Sequence, residues 1–379
     1  MGRTAATGRT AATSRSRGRT ARPGGGRRGA APRRPVRVHE LFLGYGCNER
    51  CLFCSQEYAW RRQPFLDLRE ACRRAWRAFQ EGSRVLVLNG GEPTLHPGLE
   101  KLVAFARKTG FPEVHIQTNG VRLAEPAYAD ALTAAGLTLA RFSIHGHTPA
   151  LHDAQVQLPG AFVKAWAGLE NLRARGAAVG VNFVLNRLNA ASLRESCAWM
   201  LERGVGDIGF IFPLYEGDMA FYAERTSLSM TEAAAAVRSA FEAFRERGAE
   251  PPFLLNMPPC VLPGYEGRIL RWSRDSAALY DKGRTLLIDP ESYSLERPEA
   301  SKGLGEAAAE HKAKPASCAS CVYADRCLGC ETRYLERFGS SELVPLTRVP
   351  APFSKGWRGT ARWRRVLSAR EHRALRRAS

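Results

Sequence analysis

The amino-acid sequence predicts an α/β fold built on a parallel sheet, followed by a smaller unit that depends on metal. Three observations lead to this prediction. From residue 36 onward, short apolar and β-branched runs alternate six times with amphipathic helical stretches. Five prolines between 251 and 263 then interrupt the periodicity. Seven of the ten cysteines fall into two tight groups, at 47–54 and 318–330.

Each of the six predicted strands is followed by a helix. The strands are expected at 38–43, 85–88, 114–117, 139–144, 179–185 and 208–212. The helices are expected at 66–80, 98–108, 126–135, 161–175, 191–203 and 231–247. Strands joined by helices of this length lie parallel, with right-handed crossovers. Because a full barrel needs eight repeats, six indicate an open, partial barrel or a doubly wound sheet, and both bind ligands at the carboxyl ends of their strands.

The smaller unit is predicted after the sixth helix. Residues 253–345 contain too few long periodic runs for a core of their own, and small units of this kind usually rely on a metal. The sequence therefore divides into an arginine-rich tail (1–35), an α/β domain (36–250), a cysteine-containing domain (251–345) and a basic tail (346–379).

The charge of the chain lies at its two ends. The formal net charge is +19, of which residues 1–40 carry +10 and residues 353–379 carry +8, so the part between them is nearly neutral. This distribution disfavours nucleic acid as a partner. The repetitive first 35 residues have almost nothing apolar to bury and are expected to be disordered. They are an arm for an acidic partner, a dispensable tail, or translated sequence upstream of the true start. A solvated basic helix is expected at 357–377.

Neither a membrane span nor a secretory signal is evident in the sequence. No run of about 18 consecutive apolar residues occurs, and the basic N-terminus is not followed by an apolar stretch. We therefore expect a cytoplasmic protein with no membrane partner. In such a chain, cysteines clustered at short spacing indicate metal ligands rather than disulfides.

The first cysteine group directly follows the first predicted strand. Cys47, Cys51 and Cys54 lie on one short loop, and three thiolates at this spacing can bind three irons of a cubane cluster. The fourth iron then lacks a protein ligand and is open to a substrate, as in catalytic metal sites. A zinc knuckle would need a fourth ligand nearby, and the only candidate, His39, lies on the wrong side of the strand.

The spacing Cys-x3-Cys-x2-Cys, with aromatic Phe53 before the last cysteine, resembles the signature of the radical S-adenosylmethionine (SAM) superfamily. The resemblance covers residues 37–345. It implies a partial (βα)6 TIM-type barrel and a [4Fe–4S] cluster whose open iron binds the methionine part of SAM. It further implies reductive cleavage of SAM to a 5′-deoxyadenosyl radical, an external electron donor of the flavodoxin or ferredoxin type, and a position for Phe53 near the adenine.

Further segments at predicted strand ends agree with this resemblance. The motif after the second strand, Gly90-Gly91-Glu92-Pro93, contains glycines that permit close approach of a ligand and a carboxylate suited to an ammonium. The family places such a motif against the methionine amine. The resemblance also implies polar contacts to the ribose and carboxylate of SAM, and the candidates are Thr118, Asn119, Ser143 and Asn182.

Histidines crowd the predicted loop after the fourth strand and are candidates for the substrate pocket or for proton transfer. They are His145, His147 and His152. Among them we take His145 as a catalytic candidate, with a structural role as the alternative. Tyr45, beside the cysteine loop, is a second candidate that either contacts substrate or packs.

The second cysteine group resembles the C-terminal auxiliary-cluster domains called SPASM or twitch. Its pattern is Cys-x2-Cys-x5-Cys-x2-Cys, one residue shorter at the last spacing than is typical of these domains, and alone it also fits a zinc knuckle. Five cysteines are enough for one further [4Fe–4S] cluster. We expect Cys318, Cys321 and Cys327 as ligands. The fourth ligand is Cys260 or Cys330, and the rigid Pro-Pro-Cys setting favours Cys260.

The function predicted from these features is abstraction of a hydrogen atom from a substrate by the 5′-deoxyadenosyl radical. The substrate is a peptide or protein side chain, or else a small molecule such as an aminocyclitol or a cofactor precursor that is oxidised or rearranged. The alternatives from other classes are an iron–sulfur electron-transfer protein and a zinc-containing nucleic-acid binder. The Gly-Gly-Glu motif argues against the first and the neutral body against the second.

Overall fold

The computed structural model of the chain describes residues 37–270, 272–273, 279–281, 284–288 and 311–352. The arginine-rich tail and nearly all of the basic C-terminal tail lie outside the described residues. The predictions of a disordered arm and of a helix at 357–377 therefore stay predictions.

Strands and helices alternate through the first two thirds of the chain, and the six predicted strands and six predicted helices lie close to their expected positions. Three short helices, Pro149–Val156, Gly217–Phe221 and Ala223–Thr226, were not predicted. The strands are β1 (Arg37–Phe42), β2 (Val85–Asn89), β3 (Glu113–Thr118), β4 (Leu139–Ser143), β5 (Ala178–Val184) and β6 (Ile208–Ile211). The helices are α1 (Leu68–Gln80), α2 (Leu99–Thr109), α3 (Pro126–Ala135), α4 (Pro149–Val156), α5 (Ala161–Ala174), α6 (Leu193–Glu202), α7 (Gly217–Phe221), α8 (Ala223–Thr226) and α9 (Met230–Glu246). None of the described helices is both long and apolar enough to cross a membrane.

The strands form one parallel sheet that curves into a partial TIM-type barrel, as the sequence predicted. Each of β1–β6 pairs with the next strand along the chain. Two strands that were not predicted, β7 (Phe253–Leu255) and β8 (Ile269–Leu270), extend the sheet after β6 in the same direction. They lie beyond residue 247, where the helical periodicity ends, and two or three residues are too few for a period-two pattern.

The other edge of the sheet is extended by the chain's later residues. Strand β10 (Arg284–Ile288) pairs parallel to β1, with Thr285 opposite Arg37, and β9 (Leu279–Asp281) pairs antiparallel to β10. The first strand therefore lies inside the sheet. This position fixes the loop that follows β1, and with it the first cysteine group.

Local sequence signals set the ends of the helices. Helix α9 begins with a capping box in which the Ser229 hydroxyl accepts from the Glu232 amide and the Glu232 carboxylate accepts from the Ser229 amide. Helix α4 begins where the Thr148 hydroxyl accepts from the Leu151 amide. A loop was expected here from the sequence. The structure corrects this, because His152 lies on α4 and is buried.

The second cysteine group lies in a small segment that packs on the barrel. It contains the two-stranded pair β11 (Lys312–Ala313) and β12 (Cys330–Glu331) and helix α10 (Thr332–Phe338). Tyr334 of α10 is fully buried, with its ring centroid 5.6 Å from that of Phe212 and 5.7 Å from that of Tyr215. Its hydroxyl accepts from the Met230 amide at the start of α9. Aromatic packing thus joins this segment to the loop after β6.

Candidate functional site

A cavity of about 390 Å³ lies at the carboxyl ends of strands β1–β7. This is the edge of the sheet at which the sequence placed the ligand site. The lining includes most of the predicted site residues, namely Cys47, Cys51, Phe53, Cys54, Gly90, Gly91, Thr118, Asn119, Ser143, His145 and Asn182. The fold therefore brings residues from five separate strand ends to one place.

The cysteine loop is anchored from two sides by backbone hydrogen bonds. The amides of Arg50 and Leu52 donate to the carbonyls of Val156 and Gln155 at the end of α4, both at 2.9 Å. The carbonyl of Cys54 accepts from the Met219 amide of α7, also at 2.9 Å. These bonds fix the path of the loop independently of the thiols. The three sulfurs are thereby held facing the cavity.

The thiols of this loop lie in an environment that disfavours a bare thiolate. Burial raises the pKa of Cys47 to about 12 and raises the pKa values of Cys51 and Cys54 above the usual range for a thiol. Burial also raises the pKa of the Glu49 carboxyl to about 8, and this group accepts from the Cys51 thiol at 3.4 Å. Thiolates become stable in such a place when a cation binds them.

The donor set fits a cubane cluster better than a single ion. Within the described residues, no three Cys, His, Asp or Glu side chains converge on a position for one metal ion. A cubane spreads its ligands over separate irons, so its thiolates need not converge. Two buried polar atoms beside the thiols, Glu49 Oε1 and Arg61 Nε, have no hydrogen-bond partner, as expected where a further polar group is to be accommodated. Cys47, Cys51 and Cys54 are the residues that would hold the cluster.

The glycines after β2 are required because two loops approach closely. A Cβ atom on Gly91 would lie 2.3 Å from the Tyr45 carbonyl oxygen, and one on Gly90 would lie 2.5 Å from the Gly44 oxygen. The Gly91 and Glu92 amides donate to the Gly44 and Gly46 carbonyls, both at 2.7 Å. The glycines therefore seat this motif against the cysteine loop. Approach to a ligand, the reason given from the sequence, is at most a second role.

Glu92 differs from its sequence-based role as a partner of the methionine ammonium. It is fully buried and does not line the cavity. Its Oε1 accepts from the hydroxyls of Thr94 and Thr118, at 2.6 and 2.7 Å, and its Oε2 accepts from the Asn119 amide at 2.6 Å. Burial raises its pKa. In this structure Glu92 joins the loops after β2 and β3, and the residues that face the cavity are its neighbours.

Replacing Glu92 with alanine should therefore destabilise the protein. The change leaves the donors of Thr94, Thr118 and Asn119 buried without an acceptor, at an expected cost of about 3 kcal/mol in the free energy of unfolding. Urea unfolding monitored by circular dichroism measures this. Glu92→Gln, which keeps one acceptor oxygen, should lose less. Wild-type stability of Glu92→Ala combined with weaker SAM binding would instead restore the role as an ammonium partner.

The remaining polar candidates face the cavity with defined orientations. The Asn119 side-chain amide donates to Asn48 Oδ1 of the cysteine loop at 2.7 Å. Asn182 Oδ1 accepts from Arg141 Nη1 at 3.3 Å, which directs the Asn182 amide nitrogen away from Arg141. Pro93 is buried at the start of a 3-10 turn (Pro93–Leu95) and does not line the cavity, so the structure gives it a structural place.

Of the two catalytic candidates, His145 lines the cavity and Tyr45 does not. The ring centroid of His145 lies 4.5 Å from that of Phe53, edge to face. Its Nδ1 accepts from the Val184 amide at 3.2 Å, and burial holds its pKa well below the usual value, so the ring is neutral with its proton on Nε2. Tyr45 is buried outside the cavity lining and packs edge-on against Phe42 at 4.9 Å. The packing alternative therefore applies to Tyr45.

The second cysteine group is assembled around its own small pocket. Four of its five members line that pocket, namely Cys260, Cys318, Cys321 and Cys327. Cys330 is buried and does not line this pocket, and its sulfur lies 4.0 Å from the Met230 sulfur. Burial raises the pKa of Cys260 to about 12, and the three neighbouring thiols add to this effect. Of the two candidates for the fourth ligand, Cys260, which the sequence favours, lines the pocket, and Cys330 does not.

The sequence did not indicate the two charged residues that line the first cavity beside the cysteine loop. They are Arg61 and Glu49. Glu49 stands inside the cysteine motif, at a spacer position that the motif leaves unspecified. Arg61 lies seven residues after Cys54 in a 3-10 turn (Tyr58–Arg62), with no pattern that marks it as buried. A buried arginine is only found from three-dimensional contacts.

Comparison with known sequences connects the cavity to a family. Residues 41–200 match the protein family described as the Radical SAM superfamily. The chain is 32% identical over 167 residues to PqqA peptide cyclase of Ruegeria pomeroyi, which covers 43% of each protein. It is 29% identical over 185 residues to a probable GTP 3′,8-cyclase of Sulfolobus acidocaldarius, covering 48% of this chain and 58% of that protein. The matches span about half the length of these curated relatives.

Solved structures share the fold. The crystal structure of Streptococcus suis SuiB bound to precursor peptide SuiA matches with a TM-score of 0.59 and 12% identity, over 84% of this chain and 76% of that one. At this identity the similarity establishes the partial barrel alone. The segment with the cysteine loop matches the family, and the barrel places that loop at the mouth of a cavity, so residues 41–200 are identified as a radical SAM domain.

Proposed function

We propose that this protein cleaves SAM reductively and uses the resulting radical to abstract a hydrogen atom from a substrate. The observation that carries the proposal is the arrangement of the cavity, in which Cys47, Cys51 and Cys54 face the same space as Phe53 and Asn182. A [4Fe–4S] cluster bound by the three thiolates would supply the electron that splits the S–C5′ bond of SAM. An external donor of the flavodoxin or ferredoxin type would supply that electron to the protein.

The chain's own residues would bind and orient SAM. Phe53 presents an aromatic surface for the adenine, with its ring fixed against His145. Ser143 and Asn182 offer polar groups to the ribose or the carboxylate. The neutral His145 offers its Nε2 proton as a hydrogen-bond donor and has no charge to repel the sulfonium. The apolar side chains of Val184, Ile211 and Leu255 limit water near a reactive carbon.

We propose a peptide or protein side chain as the substrate. The support is the similarity to PqqA peptide cyclase and the shared fold with SuiB, which was crystallised with its precursor peptide. A second candidate is a small molecule, favoured by the similarity to GTP 3′,8-cyclases. We further propose one auxiliary [4Fe–4S] cluster on Cys260, Cys318, Cys321 and Cys327, because these four thiols share one pocket.

Anaerobically reconstituted protein, reduced with dithionite, should convert SAM to 5′-deoxyadenosine. Mass spectrometry of the product tests this, and failure of the fully loaded protein to form it would refute the cleavage reaction. The class of substrate is tested with extracts of cells grown in deuterated medium, separated into a peptide and a small-molecule fraction. Deuterium should enter 5′-deoxyadenosine from the peptide fraction and not after protease treatment. Deuterium transfer from the small-molecule fraction alone would favour the second candidate.

A further inference from the structure

Arg61 is a buried cation at the cluster site that neither the motif nor the proposed function uses. Its side chain is only 7% exposed, and it lines the cavity together with Cys47 and Cys54. Among the described residues of the cavity lining it is the one cation, because His145 is neutral. Its charge therefore acts in a region of low dielectric constant, where electrostatic effects are large.

The guanidinium is fixed on one side by the cysteine loop and by α7. Its Nη1 donates to the Glu49 carbonyl, and its Nη2 lies 3.5 Å from Asp218 Oδ2. Asp218 is itself fixed, because its Oδ1 accepts from the Tyr58 amide at 3.2 Å. The Tyr58 ring lies 4.9 Å from the guanidinium carbon. The position of Arg61 is thus determined by the protein before any ligand binds.

The charge of Arg61 is incompletely compensated by these contacts. A separation of 3.5 Å is too long for a strong charge-assisted hydrogen bond, and the buried Nε has no partner. A buried cation in this state is costly unless further negative charge lies nearby. Arg61 also lies close enough to the Cys54 thiol to counteract part of the rise that burial causes in its pKa. The negative charge that would complete its surroundings is that of a cluster bound by the three thiolates.

We propose that Arg61 is a positioning residue that raises the reduction potential of the [4Fe–4S] cluster held by Cys47, Cys51 and Cys54. The inference rests on the proposed function, since it requires that cluster. Reduction adds one electron to the cluster, and a fixed neighbouring cation stabilises the more negative, reduced state. Hydrogen bonds to the cluster sulfurs and net charge nearby are known to set such potentials.

The test is a redox titration followed by electron paramagnetic resonance, carried out without SAM. Arg61→Gln should make the cluster at least tenfold harder to reduce, a shift of about 59 mV to more negative potential. Arg61→Lys, which keeps the charge, should shift less. Asp218→Asn removes the opposing carboxylate while keeping its acceptor oxygen, and should shift the potential in the positive direction. Arg62→Gln is the matched control: Arg62 is exposed, so its charge is screened and the potential should not change.

Iron and labile sulfide assays on each variant keep the outcomes distinct. If Arg61→Gln loses the cluster, the other two variants decide the question. The reduction potential should then shift slightly in the negative direction in Arg61→Lys and in the positive direction in Asp218→Asn. Unchanged potentials in loaded variants would overturn the inference. So would weaker SAM binding at an unchanged potential, which would make Arg61 an anchor for a carboxylate. A wild-type protein without a reducible cluster would instead refute the proposed function itself.

Discussion

Replacement of Cys47, Cys51 and Cys54 by alanine should abolish the cleavage of SAM while leaving the fold intact. The loop is held by backbone bonds to Val156, Gln155 and Met219, which the substitution does not touch. The wild-type protein should bind about eight irons in two cubanes, and the triple variant roughly four. Iron and labile sulfide assays, with 5′-deoxyadenosine measured in parallel, give both values.

The control for this experiment is Cys197→Ala. Cys197 is fully buried in α6, away from both cysteine groups, so the variant should keep its iron and its activity. Retention of about eight irons by the triple variant would show that these three cysteines are not ligands. Loss of all iron together with lost secondary structure would show that the first site also supports folding, which the backbone bonds predict it does not.

The barrel could be predicted from the sequence because its strands and helices are long enough to show their periods. Helix α3 was predicted at its observed bounds, and the other five predicted helices differ by up to two residues at either end. The failures have a common cause. Strand β8 has two residues, and β10 returns to pair with β1 from far along the chain. A strand of two residues is too short to show an alternating pattern, and a pairing between distant segments cannot be seen in a local stretch of sequence.

The sequence predicts a site residue correctly when its place along the chain, such as a strand end, determines its position. It fails when the role of the residue depends on side-chain contacts with distant parts of the chain. The cysteine spacing and the strand ends placed the thiols and His145 at one cavity. Glu92 was assigned to a ligand because a carboxylate at a loop has no visible partner in a sequence. In the structure the Thr118 hydroxyl and the Asn119 amide, at the end of β3, donate hydrogen bonds to the Glu92 carboxylate. Arg61 was missed because an arginine in a loop is expected to be exposed. Its buried position depends on contacts such as the one with Asp218, which lies far along the chain.

The second cysteine group shows how the structure separates alternatives that spacing leaves equal. Cys330 is three residues from Cys327, a normal spacing for two ligands of one cluster. It lies on β12, however, and that strand's pairing with β11 sets Cys330 opposite Ala313 and against Met230. Cys260 arrives from a distant segment and faces the thiols of Cys318 and Cys327. In this structure Cys260, and not Cys330, lines the pocket together with the other three thiols, and this supports Cys260 as the proposed fourth ligand.

Cys260→Ala should consequently lose iron from the auxiliary site, whereas Cys330→Ala should keep about eight irons. The first change removes a thiolate from the pocket that Cys318, Cys321 and Cys327 share. The second removes only a buried sulfur beside Met230 and should lower the free energy of unfolding by about 1–2 kcal/mol through the small cavity it leaves. Iron and sulfide assays, Mössbauer spectra of the auxiliary site and urea unfolding measure the three quantities. The reverse pattern of iron loss would make Cys330 the ligand. Zinc without labile sulfide in this site would remove the auxiliary cluster altogether, while leaving the prediction for Cys47, Cys51 and Cys54 untouched.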